Sequence, residues 1–107
     1  MEILLKIPDS IPLDARTTID FVAFLQAVVN RRCVGALRYG DRPDQRQRYM
    51  RRMTLELQKY RETGNFEQLL NIAVYCFLES QAPQNSKFHF DPNAASATRE
   101  AMGGNIA

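Results

Sequence analysis

The chain has 107 residues and a mass of 12.3 kDa, enough for one domain with its own core and too short for two. Apolar residues make up 45% and charged residues 24%, which excludes a disordered or collagen-like chain. Net charge is +2 but unevenly placed: Arg31 to Arg61 hold ten basic residues against Asp41, Asp44 and Glu56, a balance of +7 that leaves −5 on the remainder.

The opening MEILLKIPDS has no charged leader, long apolar stretch or small-residue cleavage site, so it does not read as a secretory signal. No apolar run approaches the roughly 20 residues that span a bilayer. Cys33 and Cys76 lie in apolar surroundings without CxxC spacing and read as buried thiols of a reducing, cytoplasmic compartment. Ile3, Leu5 and Ile7 alternate at period two, and Pro8 and Pro12 block an early helix, so the chain begins with an extended apolar arm.

A first helix is expected over about 14–39, capped by Asp14 or Thr17 and ended by Gly40. Val22, Leu25, Val29, Cys33 and Ala36 form one stripe, widened by Phe21, Phe24, Val28 and Leu37, so this helix is apolar on more than one side. GDRPD at 40–44 breaks the chain, and a second helix is expected over about 43–63 with Pro43 in its first turn. Its predicted inward stripe is Met50, Met53, Leu57 and Tyr60. Gly64 stops it, and Asn65 with Gln68 forms a capping box for a third helix over about 66–80. That helix carries Phe66, Leu69, Leu70, Ala73, Cys76 and Phe77 on its expected buried side. The expected fold is a small all-α bundle of three main helices, with residues 1–85 as the helical domain and 86–107 as an irregular or short-helical tail. Three short helices, one apolar on two sides, and an unpaired arm leave surface that a monomer would expose, so a homodimer or higher homo-oligomer is expected.

Nine of the ten basic residues between 31 and 61 are arginine, whose planar fork suits phosphate or carboxylate; a solvated helix face is the plainer reading of the same block. The single histidine, His89, lies in Lys87-Phe88-His89-Phe90-Asp91, beyond the helical core, and reads as an aromatic packing clip. There is no four-ligand zinc cluster and no phosphate-cradling glycine loop.

Residues 38–79 carry a recognisable pattern: Arg38-Tyr39-Gly40-Asp41-Arg42, then Tyr49-Met50-Arg51-Arg52-Met53, Glu56-Leu57-Gln58-Lys59-Tyr60, Thr63-Gly64-Asn65-Phe66-Glu67 and Leu69-Leu70-Asn71-Ile72-Ala73-Val74-Tyr75. This stretch resembles the small all-α nucleotide pyrophosphohydrolases of the MazG-like superfamily, especially short phage-type and mobile-element members. The resemblance implies Mg²⁺ held by E-x-x-E on one helix and E-x-x-D on the next, the three-residue spacing placing each carboxylate pair on one face. Laid onto this chain, those motifs fall on Glu56 and Lys59 and on Gln68 and Asn71, so one carboxylate stands where the family has four. A near-neutral set loses several kcal/mol of attraction per missing charge, at an effective dielectric of about 20. No metal site or cofactor is therefore expected from these four groups.

Three functions follow. In the first, a MazG-like domain without metal-dependent activity binds a nucleotide or other phosphorylated small molecule, or a partner, through Arg38, Arg42, Arg46, Arg52, Lys59, Gln68 and Asn71. In the second, Asp20, Glu56 and Glu67 form a rearranged carboxylate set for Mg²⁺-dependent (d)NTP hydrolysis. In the third, the chain is an interaction module for protein or nucleic acid, although no helix-turn-helix spacing or aromatic interleaving supports specific nucleic-acid readout. The plain structural reading of the same residues makes Asn71 a polar group that sets register across the bundle or a dimer axis, with Glu56 and Lys59 on the solvent side or paired to Arg52 or Arg61.

Overall fold

A computed structural model describes residues 1–9, 12–40 and 48–91. It contains three helices: α1, Ala15–Tyr39; α2, Tyr49–Thr63; and α3, Phe66–Gln81. The all-α expectation holds, and residues 1–9 form an extended, mostly exposed arm with no strand.

Each helix end has a local chemical cause. Asp14 caps α1 by accepting from the Thr17 backbone N–H at 2.9 Å and the Thr17 hydroxyl at 3.1 Å, and these bonds hold its carboxyl below the usual range. Gly40 leaves α1 at φ 93°, its N–H returning to the Ala36 carbonyl. Gly64 sits in the left-handed region at φ 67° and ψ 14°, which turns α2 back into α3 within two residues. Asn65 then caps α3 through the Glu67 N–H at 3.0 Å. The reciprocal half of the expected capping box is replaced: the Asn65 N–H donates to the Thr63 hydroxyl, two residues back, at 3.2 Å.

Side-chain pairings give the helix directions. Glu56 meets Asn71, whereas Met53 and Tyr49, earlier on α2, meet Cys76 and Tyr75, later on α3. The two are antiparallel, as a two-residue turn demands. Phe24 meets Phe66, Arg31 meets Asn71 and Arg32 lies over Phe77, so α1 runs parallel to α3. Helix α3 packs against both other helices and more closely against α2.

The core is small and centred on α3. Among the described residues Tyr49 and Val74 are the two buried ones, at 2% and 9% exposure. The Tyr49 N–H donates to the Gln84 side chain at 3.3 Å, and Glu79 accepts from the Gln84 and Asn85 N–H groups. The loop after α3 thus folds over the start of α2 and seals its first residue.

Several expected inward stripes are corrected. On α1 the half-buried residues include Phe24, Leu25, Val28, Arg31, Arg32 and Gly35, while Phe21, Val22, Val29, Cys33 and Leu37 are exposed. A helix apolar on two sides can bury only one of them against a single neighbour. On α2 the inward set is Tyr49, Met53, Glu56 and Tyr60, with Met50 and Leu57 turned out, because Tyr75 and Asn71 on α3 supply partners for Tyr49 and Glu56. On α3, Phe66, Cys76 and Phe77 are exposed and Val74 takes the centre. Neither cysteine is buried: Cys33 lies on the open side of α1, and Cys76 contacts Met53 Sδ at 3.4 Å from an exposed position. Helix α2 begins at Tyr49, with Arg48 outside it at φ −103° and ψ 86°; the start expected at Pro43 and, beyond residue 91, the tail expected to be irregular or short-helical lie outside the described residues. The Phe88-His89-Phe90 run does not act as a packing clip, since all three residues are exposed and the imidazole Nδ1 meets the Lys87 carbonyl oxygen.

Gly35 lies within α1, and a Cβ built there meets nothing within 4 Å. A glycine in a helix interior costs about 0.5–1 kcal/mol relative to alanine. Gly35→Ala is therefore expected to raise the stability of the chain by about that amount in urea unfolding; a loss would mean that another surface approaches this position.

Candidate functional site

Helix α3 is apolar for most of its length, and Asn71 interrupts it at mid-helix. An amide at such a position needs partners on the neighbouring helices. It has one on each side. Arg31 Nε of α1 donates to Asn71 Oδ1 at 2.5 Å, and Asn71 Nδ2 donates to Glu56 Oε2 of α2 at 3.2 Å. Asn71 uses both ends of its amide to join all three helices in one layer.

Two further charges complete the layer. Glu67, one turn before Asn71, stands 3.7 Å from Arg31 Nε, and Lys59 stands 3.7 Å from Glu56 Oε1. Two cations and two carboxylates sum to zero. The Glu56 side chain is 12% exposed, while Glu67 and Lys59 reach solvent at 58% and 61%. Glu56 is thus the least hydrated charge of the set, held by the Asn71 amide and the Lys59 ammonium rather than by Arg52 or Arg61.

The expected site residues separate on this frame. Glu56, Lys59, Asn71 and Glu67 join the layer. Gln68 is half-buried on α3 and Arg52 exposed on α2. Arg38 is exposed in the last turn of α1, about two turns beyond Arg31. Arg42 and Arg46 lie outside the described residues. Asp20 is exposed on α1, eleven residues and so about 16 Å along the helix from Arg31. Among the described residues no three His, Cys, Asp or Glu side chains come together as a set to hold a metal ion. Arg31 was missing from the expected set. Its signal was available: it ends a ten-residue uncharged run from Phe21 to Asn30 on a helix that must face the Asn71 amide.

A second surface stands on the outer side of α1. Ile19, Val22, Val29, Val34 and Leu37 are exposed at 68, 41, 52, 40 and 89%. With Ala23, Gln26, Asn30 and Cys33, also exposed, they cover an arc of roughly 140° that carries no charge between Thr18 and Leu37. Gln26 and Asn30 are hydrogen-bonded to each other at 3.0 Å near the middle of this face. A helix face that stays in water normally carries charges; this one, about 27 Å long from Ile19 to Leu37, has none along its centre.

No helix among the described residues is long and apolar enough to cross a membrane. No family model, curated protein or solved structure matches the chain.

Proposed function

We propose that this chain is a non-catalytic helical interaction module and that the outer face of α1 is its protein-binding surface. The observation that carries this reading is the uncharged, exposed arc from Ile19 to Leu37, apolar surface that the chain's own helices leave uncovered. The polar layer supports it from the other side. Glu56 and Asn71 are engaged with Lys59 and Arg31, which suits a layer that fixes helix register better than one awaiting a substrate.

A photo-crosslinking side chain at position 29, in the cell that makes the protein, is expected to give a covalent product heavier than the 12.3 kDa chain. The same group at the exposed position 62 on α2 is expected to give none. No product from position 29, or turnover of a (d)NTP panel with Mg²⁺ or Mn²⁺ by the purified chain, would overturn the reading.

One observation favours a second reading, a phosphate-bearing ligand on α2. Arg48, Arg51, Arg52 and Arg61 are exposed and form no hydrogen bond or ion pair through their side chains with the described residues. If they bind phosphate, a nucleotide at 100 times its Kd raises stability by about 2.7 kcal/mol without metal, visible as a thermal shift. An Arg48/Arg52 double alanine variant should lose that shift, and an unmoved wild type dismisses this reading.

A further inference from the structure

We infer that the occupant of the α1 face is the α1 face of a second copy of this chain, packed antiparallel. This rests on the reading of that face as a protein-binding surface and adds the identity and orientation of the partner.

The argument is one of register and charge. Ile19 and Leu37 are 18 residues apart, as are Asp20 and Arg38, and 18 residues are five helical turns. Ile19 and Leu37 therefore project in one direction, and Asp20 and Arg38 project together from one edge of the uncharged arc. In an antiparallel pair crossing near residue 28, Ile19 of one copy lies opposite Leu37 of the other, and Gln26 lies opposite Asn30. Ala23 lies opposite Cys33, a small residue against a small one. The two amides already within bonding distance of each other on one helix, Gln26 and Asn30, then face the same two on its partner and can exchange bonds across the axis. A polar pair at one level of an otherwise apolar seam fixes register.

Charge selects the direction. The first turns of α1 and its cap hold Asp14, Arg16 and Asp20, a balance of −1, while toward the other end Arg31 and Arg32 turn to α3 and Arg38 is the exposed cation. Antiparallel packing sets the Asp20 end of each copy beside the Arg38 end of the other, and positions on the same edge face one another. A parallel pair would set Arg38 level with Arg38 and Asp20 level with Asp20, on opposite edges of the seam, and would bring no Asp20 beside an Arg38. Neither Asp20 nor Arg38 forms a side-chain hydrogen bond or ion pair with the described residues of its own chain. Helix dipoles also oppose each other in the antiparallel arrangement.

Cysteine geometry tests this directly. In a Cys76→Ser background, sedimentation under reducing conditions is expected to give twice the 12.3 kDa chain mass. Mild oxidation should leave Cys33 alone uncrosslinked, because the antiparallel register sets the two Cys33 residues ten positions apart. Adding Ala23→Cys should yield a disulfide dimer, and Ala23→Cys with Cys33→Ser should not. Asp20→Arg should weaken the dimer about tenfold at low salt, and Asp20→Arg with Arg38→Asp should restore it. A monomer in sedimentation overturns the inference; the interaction reading then still stands if position 29 crosslinks to a different protein in the cell. A Cys33–Cys33 crosslink overturns the antiparallel arrangement, and a dimer in which no cysteine pair crosslinks places the contact on another face and overturns it as well.

Discussion

Tyr49→Ala is expected to remove about 3–4 kcal/mol, the largest single-residue loss in the chain. Tyr49 is 2% exposed, its ring centroid lies 6.2 Å from that of Tyr75, and its backbone N–H is held by Gln84. Truncating a buried aromatic loses its transfer free energy and leaves a cavity, together about 3–5 kcal/mol. A chain of this length has a total stability of roughly 5–15 kcal/mol, so the variant forfeits a large share of it. Tyr49 also stands where the post-α3 loop meets the first turn of α2, so its removal should loosen residues 82–85 as well as the helix. Urea unfolding followed by circular dichroism measures the loss, and Tyr49→Phe, which retains the ring, separates packing from the hydroxyl at a cost of about 1 kcal/mol or less. A loss below 1 kcal/mol for the alanine variant would move the centre of the core elsewhere.

The elements were legible because their signals are local. Asp14 and Asn65 mark helix ends by side-chain bonds that reach two or three residues, Gly64 does so by lacking a Cβ, and the structure uses all three. The burying faces were less legible. Met50 and Leu57 are the more apolar choice on α2, yet Tyr49 and Glu56 turn inward, because Tyr75 and Asn71 on another helix offer a ring and an amide. That preference belongs to a pair of residues separated by 15 or more positions and leaves no trace in the periodicity of either helix. Helix α1 shows the same limit in another form. Its apolar residues lie on two sides, and which side meets α3 depends on where Arg31 finds a hydrogen-bond acceptor.

The candidate site was half legible for a related reason. Asn71 stands out as an amide within an apolar helix, and its use as a hydrogen-bonding bridge to the neighbouring helices could be read from that alone. Glu56 and Lys59 came from the resemblance, whose first motif falls on them, and the structure brings the two together as an ion pair. Arg31 was overlooked because it belongs to a charge block otherwise assigned to anion binding; its use is internal, as the cation that completes a neutral layer. The arginine count of a segment therefore overstates the charge it offers to a ligand, since part of it is spent inside the bundle.

Asn71→Leu is expected to lower stability by about 2–3 kcal/mol, although leucine suits a helix better than asparagine does. The substitution removes the acceptor of Arg31 and a donor to Glu56 in one step. Glu56, with 12% of its side chain exposed, then keeps Lys59 at 3.7 Å but loses its hydrogen bond from α3. Breaking a hydrogen-bonded charge layer on one side costs more than the bonds are worth, because the remaining polar groups stay desolvated. The partly exposed Arg31 can recover some hydration, which places the expected loss below that of a deeply buried charge. Replacing the whole layer should behave differently. Arg31→Met, Glu56→Leu and Asn71→Leu together remove every group that needs a partner, and the triple variant is expected to return to within about 1 kcal/mol of the wild type or to exceed it. If the layer fixes register, that stable variant should also broaden in its amide NMR spectrum, since apolar helices can slide past one another where the amide held them. A triple variant as unstable as Asn71→Leu alone would mean that the layer contributes net stability, and sharp, unshifted spectra would remove its role in register.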